Sequence, residues 1–159
     1  MYLNKKIQSG FFLVEVVIAS ALAAFIIISL LSLSQNTVDI SKRSVEKTQA
    51  SYLLEEGVEA VKTVRDANWS NISSLTNGTT YYLSWNGTNW VISTTPSVID
   101  SFTRTIVFDA VSRDANDDIV SSGGTVDSRT RKATVTVTWT PKSGVQSETL
   151  VFYLSDIRT

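Results

Sequence analysis

Glu15 is the one charged residue within residues 11–33, a run of 23 that contains no Gly and no Pro. An acid inside an apolar helix costs roughly 2.5 to 3.5 kcal/mol at the centre of a bilayer and less near its surface. Its chemistry is therefore ion pairing with a cation, or else a position at headgroup level where water reaches it. Further along, Asp114, Asn116 and Asp118 alternate as the oxygen donors do at the start of a calcium loop. The EF-hand glycine and distal glutamate are missing, Asp/Asn clusters are common in solvated turns, and Asp127 joins the set only if the loop folds back. These are metal candidates by residue type alone; the expectation is no bound metal and no cofactor. Trp69, Trp85, Trp90 and Trp139 could stack on sugars or single-stranded DNA if two or more lined one exposed groove, although such residues are more often core. The triplets that begin at Asn68, Asn71, Asn77 and Asn86 match the N-glycosylation pattern, yet in an Asn/Ser/Thr-rich chain turn chemistry is the simpler role.

The composition removes several classes of function. With no Cys and no His there is no thiol chemistry, no imidazole base and none of the commonest zinc ligands. No nucleophile, base and orienting group stand out as a set, so an enzyme is not expected. A formal charge of -1 gives no broad basic surface, so nucleic acid is not expected as a partner. The 159 residues leave room for one domain plus an anchor.

An apolar run of this length makes, at 1.5 Å per residue, a helix of about 30 Å or slightly more, the thickness of a bilayer's hydrocarbon. A helix also satisfies its own backbone groups in lipid, which an isolated strand does not. Lys5 and Lys6 favour a cytoplasmic N-terminus, but Lys42, Arg43 and Lys47 lie close behind the run, so charge leaves the orientation open.

The stretch Lys5-Lys6-Ile7-Gln8-Ser9-Gly10-Phe11-Phe12-Leu13-Val14-Glu15, running into the apolar residues 16–33, resembles the prepilin signal of type IV pilins and type II secretion pseudopilins. The resemblance implies a leader, residues 1–10, held in the cytoplasm by Lys5 and Lys6. It implies cleavage between Gly10 and Phe11 by a prepilin peptidase that also methylates the new amine. Glu15, fifth in the processed chain, would then meet the Phe11 amine of a neighbouring pilin or pseudopilin subunit and set the stagger between them. It further implies an inner-membrane assembly platform as partner, a single-pass membrane protein with an extracytoplasmic C-terminus, and later residence in a pilus or pseudopilus at the cell surface. Two other readings stay open. Glu15 could be an interfacial acid with no specific partner. The run could also be a secretory signal peptide cut after Ser32-Leu33-Ser34, before Gln35, although it is long for that and carries an acid near its start.

Beyond residue 33 the helix is expected to continue to Arg65. Ala50, Leu53, Leu54, Gly57, Val58, Val61 and Val64 fall on one stripe, with Glu55, Glu56, Glu59, Lys62 and Asp66 on the opposite face. Residues 35–49 offer only Val38, Ile40 and Val45 and have little core to cover them. Residues 55–69 also resemble a segment of minor pilins of the pilus-modification type. Major pilins often carry a proline in the membrane half of the helix, and many Gram-negative pilins a C-terminal disulfide loop. Both are missing here, which tilts the resemblance toward a minor pilin or pseudopilin.

From Trp69 the period becomes strand-like. An Asn-Gly hairpin is expected between 81–85 and 90–93, a strand at 102–113 with Phe102, Arg104, Ile106, Phe108 and Ala110 on one face, and a C-terminal hairpin of 130–139 with 147–154. The expected fold is α+β: a transmembrane helix (11–33), an extracytoplasmic amphipathic helix (34–67), and an antiparallel sheet of four or five strands (68–159) packed on the latter. Two functions fit, a structural subunit of a pilus or secretion-like filament and a membrane-anchored or filament-tip adhesin whose β-domain binds a ligand.

Overall fold

The computed structural model describes residues 8–157, so Lys5 and Lys6 lie outside the described residues. Helix α1, Gln8–Ala67, runs for 60 residues. No proline precedes Pro96, so nothing removes a backbone donor from the α1 ladder. The helix continues two residues past Arg65, whose side chain sits in the last turn, where a cation favours the negative end of the helix dipole. The chain divides into two compact units, Met1–Val45 and Glu46–Thr159. In the first, every residue from 11 to 44 is exposed.

The second unit joins residues 46–67 of α1 to an antiparallel sheet, giving the expected α+β class. A four-residue helix α2, Ser70–Ser73, leads into strands β1 (Thr80–Trp85), β2 (Trp90–Ser93), β3 (Val98–Ile99), β4 (Phe102–Arg113), β5 (Ile119–Val120), β6 (Thr125–Trp139) and β7 (Gln146–Ser155). The main path is β2-β1-β4-β6-β7, and the two-residue strands β3 and β5 both pair with β4. The Asn86-Gly87 turn closes the β1–β2 hairpin as its chemistry requires. Gly87 has φ 97°, the Asn86 N–H donates to the Asn89 carbonyl at 3.1 Å, and the Asn86 Oδ1 accepts from the N–H groups of Thr88 and Asn89.

Strand alternation sends Tyr81, Leu83, Phe102, Ile106, Phe108, Ala133, Val135, Val137, Trp139 and Leu154 to one face, where they meet Ala50, Leu54, Ala60, Val61 and Val64 of α1 and Ile72 of α2. The predicted helix stripe is thus the one that is buried. Gly57 lies close against the sheet: a Cβ there would lie 3.0 Å from Arg104 Cδ and 3.1 Å from Val135 Cγ1.

The predicted face of β4 needs one correction. Its alternation holds through Phe108 and then changes phase, because the register with β6 shifts between Ala110, opposite Arg131, and Val111, opposite Asp127. This bulge turns Ala110 outward and Val111 inward. It also explains why β6 begins at Thr125, five residues before the pattern suggested. Gly124, φ 75°, precedes that start, and a Cβ there would press on the Arg113 carbonyl group and Val120.

Candidate assembly site

Phe11, Val14, Glu15, Ile18, Ala19 and Leu22 line one face of the first turns of α1, as the 3.6-residue period demands. Phe11 is 83% exposed, and Glu15 is exposed beside it. The helix is long and apolar enough to cross a membrane, with a mean hydropathy of 2.8 in its apolar window. Ser20 and Ser29 return their hydroxyls to the carbonyls of Val17 and Phe25 at 2.9 and 2.8 Å, so these polar groups are satisfied within the helix. Glu15 has no hydrogen bond or ion pair among the described residues. Gly10 lies one residue before Phe11, inside α1. Gly10, Phe11 and Glu15 thus lie along a single helix.

The sheet carries two buried arginines whose roles the sequence reading missed. Arg104, 1% exposed, donates from Nη1 to the Leu53 carbonyl at 2.9 Å and to Glu56 Oε2 at 2.6 Å. Its guanidinium also lies 5.4 Å from the Trp90 ring centroid, a cation–π distance. Glu56, assigned to the solvent face, is exposed there and also pairs with Arg104. Arg131 donates to the Ser73 and Leu75 carbonyls at 3.5 and 2.6 Å, tying β6 to α2 and the loop that follows. The available signal was phase: Arg104 alternates with Phe102, Ile106 and Phe108, and Arg131 with Ala133, Val135 and Val137, so both belong to the buried face and need acceptors there.

The acidic loop does fold back on Asp127, but around a cation of its own. Asp114 Oδ1 accepts from the N–H groups of Asn116 and Asp118 at 2.8 and 3.0 Å, the chemistry of an Asx turn. Arg113 donates from Nε to Asp127 Oδ2 at 2.8 Å and from Nη1 to the Asp117 carbonyl at 2.7 Å. Among the described residues no three His, Cys, Asp or Glu side chains converge to hold a metal.

The Arg113 hydrogen bond, helped by the Thr130 hydroxyl and the Arg129 N–H, draws the Asp127 carboxyl from 3.8 down to about 2. A depressed carboxylate adds stability that is fully present above its unfolded pKa and is lost as pH falls through the folded one. Asp127→Asn should therefore flatten the stability loss between pH 3.8 and about pH 2, read by urea midpoints at several pH values. The effect is modest, since this pair is partly exposed. An unchanged slope in that window would show that the contact contributes nothing.

The tryptophans separate. Trp139 is buried against Phe102 at 5.8 Å between centroids, Trp69 is half-buried, and Trp90 lies beneath Arg104. Trp85 alone is well exposed, at 55%, with Trp90 edge-on at 5.6 Å. The Asn68 and Asn86 side chains serve turns, and Asn71 Nδ2 donates to the Val64 carbonyl at 3.3 Å.

Comparison of the chain with protein-family models, curated proteins and solved structures finds no match. The class is thus defined by architecture: a long apolar N-terminal helix whose second part packs on an antiparallel sheet, a layout that resembles pilin-like proteins.

Proposed function

We propose that the chain is a structural subunit, a minor pilin or pseudopilin, of a type IV pilus or type II secretion-like filament. A prepilin peptidase cuts it after Gly10 and methylates the Phe11 amine. The helix then passes from the membrane into the filament core, where Glu15 pairs with the Phe11 amine of an adjacent subunit. The observation that carries this reading is Glu15 itself, the sole charge within the exposed apolar residues 11–33, one turn from Phe11 on the same face. In low dielectric an acid and an amine attract strongly, and desolvating either one alone is costly, so the pair favours one axial stagger over its neighbours. The role is assembly and not catalysis, with prepilin peptidase, other subunits and an inner-membrane platform as partners.

Gly10→Val tests the processing step. A peptidase that reads the glycine should leave the variant at full length in the membrane fraction while the native chain loses residues 1–10. Equal processing of both would remove Gly10 from the site.

A further inference from the structure

Four Asn-X-Ser/Thr triplets lie in the chain, and three of them have structural work. Asn68 Oδ1 accepts from the N–H and the hydroxyl of Ser70 at 3.0 and 2.9 Å. Asn71 Nδ2 is turned to the Val64 carbonyl, and Ile72, the middle residue of its triplet, is fully buried. Asn86 Oδ1 is held at the hairpin turn by the N–H groups of Thr88 and Asn89. The triplet Asn77-Gly78-Thr79 has no such role. Among the described residues, neither the Asn77 carboxamide nor the Thr79 hydroxyl makes a hydrogen bond.

The loop around this triplet is nevertheless fixed. The Leu75 carbonyl accepts from Arg131 Nη2 at 2.6 Å, the Thr76 N–H donates to the Tyr81 hydroxyl at 3.0 Å, and the Gly78 N–H donates to the Phe108 carbonyl at 3.0 Å. A turn closed by the Thr79 N–H on the Thr76 carbonyl at 3.4 Å sets Asn77 and Gly78 at its tip, both exposed. A Cβ built on Gly78 would meet nothing within 4 Å, so there is open space at the tip for a bulky group.

We infer that Asn77 is an N-glycosylation site, the acceptor of an oligosaccharide carried on a lipid diphosphate. The triplet supplies what the transfer needs: a carboxamide nitrogen outside the fold and, two residues on, a hydroxyl for the transferase to recognise. Asn77 Nδ2 forms a bond to the anomeric carbon of the sugar and gives up a proton. The bond from that carbon to the diphosphate oxygen breaks, and the lipid diphosphate leaves with the electron pair. The inference rests on the filament reading for one point, that the sheet unit stands on the extracytoplasmic side of the membrane, where such transferases act.

Mass spectrometry of the protein purified from the membrane fraction of its native cells tests the site, alongside protease digestion of spheroplasts. The native chain should carry added saccharide mass on the peptide that contains Asn77. Asn77→Gln should lose it entirely, and so should Thr79→Val, which keeps the side-chain shape and removes the hydroxyl. Asn86→Gln should keep it. An unmodified Asn77 in a sheet unit that the protease reaches would overturn the site and leave the filament reading standing, whereas a sheet unit shielded from the protease would overturn both. Sugar that survives Asn77→Gln would place the modification elsewhere and equally end the inference.

Discussion

Glu15→Ala is expected to be processed and anchored normally yet to enter filaments at least about tenfold less than the native chain, a factor equivalent to about 1.4 kcal/mol. Two effects of opposite sign meet at this position. Removing the acid makes insertion easier, by up to roughly 2.5 to 3.5 kcal/mol if the site were central and less at its place near the helix start. It also removes the partner proposed for the Phe11 amine, leaving that cation to be desolvated alone during assembly. Membrane content should therefore hold or rise while filament content falls. Glu15→Gln separates charge from polarity, and on this account it fails almost as badly as alanine. Quantitative immunoblotting of sheared surface filaments against the membrane fraction checks both variants. Normal incorporation of Glu15→Ala would end the role assigned to the acid.

Arg104→Ala should strongly destabilise the sheet unit, with a loss of about 3 kcal/mol. The side chain is 1% exposed and fills the space under Gly57, against Leu53, Glu56 and Trp90. Truncation leaves a cavity between helix and strand. The Arg104–Glu56 pair explains little of this, because the Glu56 side chain is 48% exposed and water screens it. Arg104→Met keeps most of the apolar stem and should cost about 1 kcal/mol. Urea unfolding of the full chain in detergent distinguishes the two. Equal midpoints for Ala and Met would place the residue's value in its charge and contradict the packing account.

The long helix, its buried stripe, the Asn-Gly hairpin, β4 and the C-terminal hairpin could all be read from period and turn residues, because each depends on local pattern. The β4 bulge could not: whether Ala110 or Val111 faces inward depends on how many residues of the partner strand stand outside the ladder, a non-local property. Strands β3 and β5, at two residues each, are too short to show a period. Glu56 is exposed as its place on the wheel suggested, but its pairing with Arg104 could not be read there, because a helical wheel shows only its own element's faces and Arg104 is 48 residues away. The acidic loop shows the same limit, because composition suggested oxygen ligands for a cation, whereas Asp114 Oδ1 accepts from the Asn116 and Asp118 N–H groups and Asp127 pairs with Arg113. Residues 10, 11 and 15 were grouped by spacing alone, and the structure adds that they lie on one uninterrupted helix.

The most direct test is the mass and N-terminal sequence of the protein recovered from the cell surface. The account predicts a chain that begins at Phe11, with the mass of a methyl group added to its amine. A chain that begins at Gln35 would make it a secreted domain released by an ordinary signal peptidase, and an intact Met1 would make the helix a plain membrane anchor; either result would contradict the filament reading.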